Sequence, residues 1–87
     1  MAYTVELSNR AKRELAALSA NLQTRIVTAL RKLEANPRSS GVSKLEGGEN
    51  VYRLRVGDYR VLYEVHDTNL VVLVVKVGHR REVYRKR

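Results

Sequence analysis

A stretch of strict alternation, VYRLRVGDYRVLYEV at residues 51–65, constrains this chain more than any other. Apolar or tyrosine residues fall at every second position on either side of Gly57-Asp58, the pattern of two half-buried strands. Glycine at the first central position of a two-residue loop suits a type II′ hairpin. With that turn in place, Val56 faces Tyr59, Arg55 faces Arg60 and Leu54 faces Val61. Side chains alternate across a sheet. Tyr52, Leu54, Val56, Tyr59, Val61, Tyr63 and Val65 therefore share the face to be covered. Arg53, Arg55, Arg60, Leu62 and Glu64 share the other.

The rest of the chain supplies the cover. YTVEL, residues 3–7, reads as a short strand, and Ser8 or Asn9 can cap a helix after it. Ala11, Leu15 and Leu18 recur at helical spacing, Ser19 to Asn21 interrupts, and Leu22, Ile26, Leu30 and Leu33 mark a second helix. Asn36-Pro37 ends that helix, because the residue before proline is pushed out of the helical region. Residues 37–50, rich in Ser and Gly, read as a loop. Asp67-Thr68-Asn69 reads as a three-residue turn, and Leu70 to Val77 as a continuous apolar, central strand. The expected order is β-α-α-β-β-β over a single domain, residues 1–87. That is an α+β fold, a two-helix antiparallel hairpin on one face of a mainly antiparallel four-stranded sheet.

A chain of 87 residues holds one modest core, burying only about 60% of its unfolded surface. There is no cysteine, hence no disulfide frame or thiolate metal site. The start shows no secretory pattern, and the longest apolar run, Leu70 to Val75, is far short of the ~20 residues a membrane helix needs. A soluble, cytoplasmic protein is expected. Seventeen Lys and Arg stand against nine Asp and Glu, a net charge of +8. Residues 51–87 hold nine of those basic side chains and four of the acids. Such an excess attracts a polyanion: nucleic acid, an acidic protein or an anionic membrane face. Nucleic acid or an acidic partner is the expectation.

Arg55 directly opposite Arg60 is unfavourable alone, since like charges on facing strands repel. An anion between them reverses the sign, and the guanidinium fork matches phosphate with two parallel charge-assisted bonds. A three-residue turn at Asp67–Asn69 would set Arg60 opposite Lys76 and place Lys76, Gly78 and Arg80 on the same face. A loop one residue longer or shorter would change that assignment. The open face then carries Arg53, Arg55, Arg60, Lys76 and Arg80, with Tyr84 at its rim, as a phosphate cradle. Any one arginine on a sheet face is ordinarily just solvated; five converging from three strands with scarcely an acid among them point to an anion site. The acids are scattered and no His/Asp/Glu cluster has ligand spacing, so no metal and no cofactor is expected.

The succession of two helices, KLEG at residues 44–47, the hairpin, an apolar strand and GHRREVY at residues 78–84 resembles the RelE/ParE toxins of toxin–antitoxin pairs. The resemblance covers nearly the whole chain. In the RelE branch it implies a ribosome-dependent endoribonuclease that cuts mRNA in the ribosomal A site. In the ParE branch it implies a DNA gyrase poison without the catalytic set. The RelE basic pair falls on Arg53 and Arg55, its arginine after the turn on Arg60, its arginine after the last strand on Arg80, and its C-terminal tyrosine on Tyr84. The best-known RelE members carry lysines where Arg53 and Arg55 stand. Phosphate binding survives that change. The base does not, because arginine, with a pKa above ~12, is a poor base.

The activity this implies is metal-free attack of a ribose 2′-OH on the adjacent phosphate. Arg55 and Arg60 would hold the phosphate oxygens, Arg53 and Lys76 the backbone. Arg80 would stabilise the leaving side, and Tyr84 would stack on a base or orient the 2′-OH. His79, with an ordinary pKa near neutrality, is the candidate base, although alternation points it away from the cradle unless the strand ends at Gly78. The implied partners are the ribosome, mRNA and a cognate acidic antitoxin. Two other readings stay open, a ParE-like gyrase inhibitor and a non-catalytic RNA-binding module.

Overall fold

The computed structural model describes residues 2–38, 42–44 and 50–79. Its elements are β1 (Thr4–Leu7), α1 (Asn9–Ala16), α2 (Ala20–Ala35), β2 (Val42–Lys44), β3 (Val51–Val56), β4 (Tyr59–His66) and β5 (Val71–His79). They build one mixed sheet in the order β1-β5-β4-β3-β2. The sheet thus has five strands where four were expected. The extra strand, β2, lies within the stretch that reads as a loop. Three residues, Val-Ser-Lys, are too few for a period to declare itself, and β2 exists by pairing antiparallel with β3, Ser43 opposite Arg53.

Both helix starts follow serine chemistry. The Ser8 hydroxyl accepts from the Ala11 amide at 3.1 Å and the Ser19 hydroxyl from the Leu22 amide at 3.3 Å, each satisfying a donor the first turn leaves open. The interruption therefore lies at residues 17–19 rather than 19–21, since Ser19 caps α2. Ala11 of α1 and Ile26, Leu30 and Leu33 of α2 pack on Val56, Val61, Tyr63, Val65, Val72, Val74 and Val77. The β3 and β4 residues of that set lie on the face the alternation assigned to the helices, as does Val77, whereas Val72 and Val74, which the expected register put on the arginine face, are in the core. Burying each large apolar side chain is worth about 1.5–3 kcal/mol. A slip of one residue in β4 would exchange Val61, Tyr63 and Val65 for Arg60, Leu62 and Glu64, so the register is strongly set.

β5 departs from expectation in two places. The turn before it runs through Leu70, whose φ of +56 puts a branched side chain in the left-handed region, a conformation leucine rarely takes. His66 accordingly faces Val71, not Leu70. A bulge at Val75 then adds a second residue of offset between Tyr63↔Val74 and Leu62↔Lys76. Arg60 consequently pairs with Gly78 and not with Lys76. Two single-residue shifts preserve parity, so Lys76 and Gly78 stay on the arginine face. β1 runs parallel to β5 only along Val71–Val74. Beyond it the edge of β5 is covered by α1: the Ser8 amide donates to the Val74 carbonyl at 2.8 Å, and Glu14 Oε1 accepts from the Val77 amide at 2.7 Å.

A polar clasp closes the other end. Arg38 gives both terminal nitrogens to Asp67, at 3.1 and 2.8 Å, and its Nε to the Tyr52 hydroxyl at 2.8 Å. The Tyr3 hydroxyl donates to Asp67 at 2.6 Å, and the buried Tyr63 hydroxyl donates to the Pro37 carbonyl at 2.6 Å. The bonds from Arg38, then that from Tyr3, hold the Asp67 carboxyl below its usual range. Burial pushes the Tyr63 phenol up to about 12. No helix among the described residues is long and apolar enough to cross a membrane.

Two pH limbs follow. The unfolded tyrosine loses its proton near 10 and the folded Tyr63 near 12, so stability falls as pH rises through that window. Tyr63→Phe removes that limb in pH-dependent urea unfolding. At neutral pH it leaves the Pro37 carbonyl unpaired, at about 1–3 kcal/mol. On the acid side, Asp67 stabilises the fold above the ordinary carboxylate range, and this is lost as pH falls through its lowered pKa. Asp67→Asn should flatten the acid limb of the same measurement, and an unchanged limb would contradict the clasp.

Candidate anion-binding site

The hairpin turn sets the site. Gly57 has φ +59, which glycine adopts without strain, and Asp58 stays on the negative side, as a type II′ turn requires. The register then follows as read: Val56↔Tyr59, Arg55↔Arg60, Leu54↔Val61. With β5 added, Arg55, Arg60 and Gly78 form one row across three strands, and Arg53, Leu62 and Lys76 the next.

The cations in these rows differ in environment. Arg55 is exposed. Arg60 is 8% exposed, and its Nη1 donates to the carbonyl oxygens of Gly57 at 3.3 Å and Tyr59 at 3.1 Å. The turn's carbonyl dipoles, not a carboxylate, thus hold the guanidinium at the hairpin tip. Among the described residues no carboxylate pairs with Arg55 or Arg60. Glu64, the acid on this face of β4, is taken by His66 at 2.9 Å. Arg53 is half-buried beside β2. Lys76 is drawn to the sheet edge, its amine 3.9 Å from Glu14 Oε2.

The like-charge pair persists because packing outweighs it. Facing guanidiniums cost about 0.2–1 kcal/mol, against about 1.5–3 kcal/mol for each apolar side chain the same register buries.

β5 runs on through His79, which pairs with Tyr59 on the helix side. The imidazole meets the Tyr59 ring edge-on, centroids 5.5 Å apart, beside Glu14, Ala17 and Leu18. It lies on the opposite face of the sheet from Arg55 and Arg60, because the strand does not end at Gly78. Arg80 and Tyr84 lie outside the described residues. The structure thus sets Arg53, Arg55 and Arg60 on one sheet face, gives Lys76 a place in the same rows with its amine turned to Glu14, and puts His79 on the other face.

Two further residues bear on the site. Glu14 ties α1 to the end of β5 and to Lys76. Arg25 of α2 lays its guanidinium against Gly57, Nη2 3.0 Å from where a β-carbon would stand. No period or motif marks either, since each is one charge on the polar side of a helix and meets the sheet only in the folded chain.

Two helices on one face of a mixed five-stranded sheet in this order, with a basic pair on the other face that no carboxylate among the described residues engages, define the fold class of small type II toxins. The chain belongs to the family described as ParE toxin of type II toxin–antitoxin systems, parDE, whose profile matches residues 5–84. It is RelE-like within that fold. The mRNA interferase toxin RelE of Escherichia coli K12 is 34% identical over 88 residues, covering 97% of this chain and 92% of that one. Toxin RelG of Mycobacterium tuberculosis is 30% identical, covering 99% and 100%. The crystal structure of the isolated E. coli RelE toxin matches with a TM-score of 0.81 at 29% identity, covering 90% of this chain and 84% of that one. The archaeal RelE–RelB complex from Pyrococcus horikoshii OT3 matches with 0.80 at 32% identity, covering 99% and 100%.

Arg55→Gln should raise thermal stability at low salt by about 0.2–1 kcal/mol as the repulsion is relieved, and the gain should vanish at high salt. Phosphate should raise the wild-type midpoint more than that of the variant. Equal phosphate shifts would show that Arg55 takes no part in anion binding.

Proposed function

We propose that this chain is the toxin of a toxin–antitoxin pair and cleaves mRNA on the ribosome without a metal ion. The observation that carries the reading is the exposed Arg55 opposite the buried Arg60 on the sheet face away from the helices, with no carboxylate among the described residues engaging either. The relatives named mRNA interferase support the substrate class, and the RelE–RelB complexes support an antitoxin partner. A net charge of +8 favours an acidic antitoxin segment and a ribosomal RNA surface.

The chemistry is transesterification. The 2′-oxygen bonds to the neighbouring phosphorus, the bond to the 5′-oxygen breaks, and the products are a 2′,3′-cyclic phosphate and a 5′-hydroxyl. The 2′-proton passes to a base and the leaving oxygen takes a proton. Negative charge builds on the phosphorane oxygens in between. Arg55 and Arg60 face that charge from adjacent strands, where preorganised donors contribute most. Arg60 is the better ordered of the two, fixed by the Gly57 and Tyr59 carbonyls. Arg53 and Lys76 would steady the backbone, Arg80 the leaving oxygen and Tyr84 the base or 2′-OH. His79 is left out of this set, because its ring lies on the helix side. The base is then water, a ribosomal group or a residue beyond the described stretch. This minimal set suits an enzyme whose substrate is held by another assembly.

Primer extension on mRNA in programmed ribosomes tests the proposal. Wild type should give a cut within the A-site codon in the presence of a chelator. Arg60→Ala should lower the single-turnover rate by about 10²-fold or more, and Arg80→Ala likewise. Intact A-site mRNA with wild type, together with gyrase trapped on DNA, would favour ParE-type activity, the reading the family's name invites. Binding without any cut product would leave an RNA-binding module.

A further inference from the structure

We infer that the anion site does not stop at the sheet face. It continues over the tip of the β3–β4 hairpin onto α2, where Arg25 and Gly57 form a second phosphate subsite for the same RNA strand. The inference rests on the RNA reading above and adds a subsite and a strand path to it.

Two guanidiniums converge on one glycine. Arg60, from the open face, donates Nη1 to the Gly57 carbonyl at 3.3 Å. Arg25, from the helix side, sets Nη2 3.0 Å, and Cζ and Nη1 3.6 Å, from the position a Gly57 β-carbon would take. Nη2 is the nearest atom, so the guanidinium turns its Nη edge toward that space. Gly57 therefore serves two purposes, the positive φ of the turn and a bare surface on which a guanidinium can rest. The turn thereby limits the rotamers of an otherwise exposed side chain, which lowers the entropy lost when it binds a ligand.

No carboxylate among the described residues pairs with Arg25, Arg55 or Arg60. That holds although Asp58 is the next residue in the turn. Three guanidiniums around one hairpin tip, on both sides of the sheet and without a counter-ion among the described residues, fit a ligand with repeated negative charge along its length. A single-stranded nucleic acid backbone has that form, and the flat face of Arg25 can also stack on a base. A strand bound at Arg55–Arg60 would pass over Gly57 to Arg25 and not stay on the sheet face.

Binding of a fluorescein-labelled RNA hexamer with 2′-O-methyl riboses, which cannot be cut, tests this by anisotropy over a salt series. Arg25→Met keeps the length of the side chain and removes the charge. Arg31→Met makes the same charge change beside β1, where Arg31 lines a groove with Val5 and Leu7. The expected result is an affinity about tenfold lower for Arg25→Met and a salt slope shallower by about 0.7, with Arg25→Lys recovering part of the loss. Arg31→Met should stay within about twofold of wild type. Equal losses in the two Met variants, or none in either, would overturn the subsite. So would loss of binding to an acidic antitoxin segment with RNA affinity unchanged. If wild type neither binds the hexamer at low salt nor cuts A-site mRNA, the RNA reading itself falls and the subsite with it. If wild type binds and cuts A-site mRNA but Arg25→Met matches it in affinity and slope, only the subsite fails.

Discussion

The molecule depends on an enforced proximity of like charges. Arg55 and Arg60 face each other because the type II′ turn at Gly57 and the burial of Val56, Val61, Tyr63 and Val65 leave no other register. Packing supplies several times the free energy that the repulsion removes. The fold can thus hold a preformed electrostatic strain on the sheet face away from the helices, one that an anion between the two groups would relieve. In this respect the site resembles an oxyanion hole: its donors are positioned before the charge arrives.

The surrounding structure maintains that arrangement at both ends. At one end Glu14 covers the edge of β5 where β1 has ended and holds Lys76 back toward α1. Its carboxylate acts partly as a missing strand, taking the Val77 amide, and partly as a counter-ion. At the other end the Arg38–Asp67 clasp joins the start of β1, the end of α2, β3 and the β4–β5 turn. This clasp uses an arginine that does have a carboxylate. Arg38 is neutralised and structural, whereas among the described residues no carboxylate pairs with Arg55, Arg60 or Arg25. Identical side chains thus divide into scaffold and candidate site according to whether an acid lies within reach.

Much of this was legible in the sequence. The period-two pattern and Gly57-Asp58 specified the hairpin, its register and the two faces without ambiguity. Ala11, Ile26, Leu30 and Leu33 gave the covering helices. The β4–β5 pairing was not legible, because its turn places Leu70 at positive φ, a choice no local preference predicts. The Val75 bulge is likewise silent, one valine in a run of apolar residues. β2 is too short to show a period. Lys76 and Gly78 keep the face the sequence predicts because two one-residue shifts cancel in parity, whereas Val72 and Val74, between the shifts, change sides and Arg60 takes Gly78 as its partner. Arg25 and Glu14 could not be read at all. Their roles come from tertiary contacts between a helix surface and a sheet, and nothing in the spacing of a polar helix face distinguishes them. The reassignment of His79 follows from strand length, which decides whether the last side chain keeps alternating.

The most direct measurement is of the arginine side chains themselves. Spectra of the Nε–Hε groups, recorded during titration with a dinucleotide that lacks the 2′-hydroxyl at the scissile position, report each guanidinium separately. If one phosphate is shared by the facing pair, the Arg55 and Arg60 signals should move together and fit a single dissociation constant. Signals that stay in place, or that move with two unrelated constants, would contradict a common phosphate site.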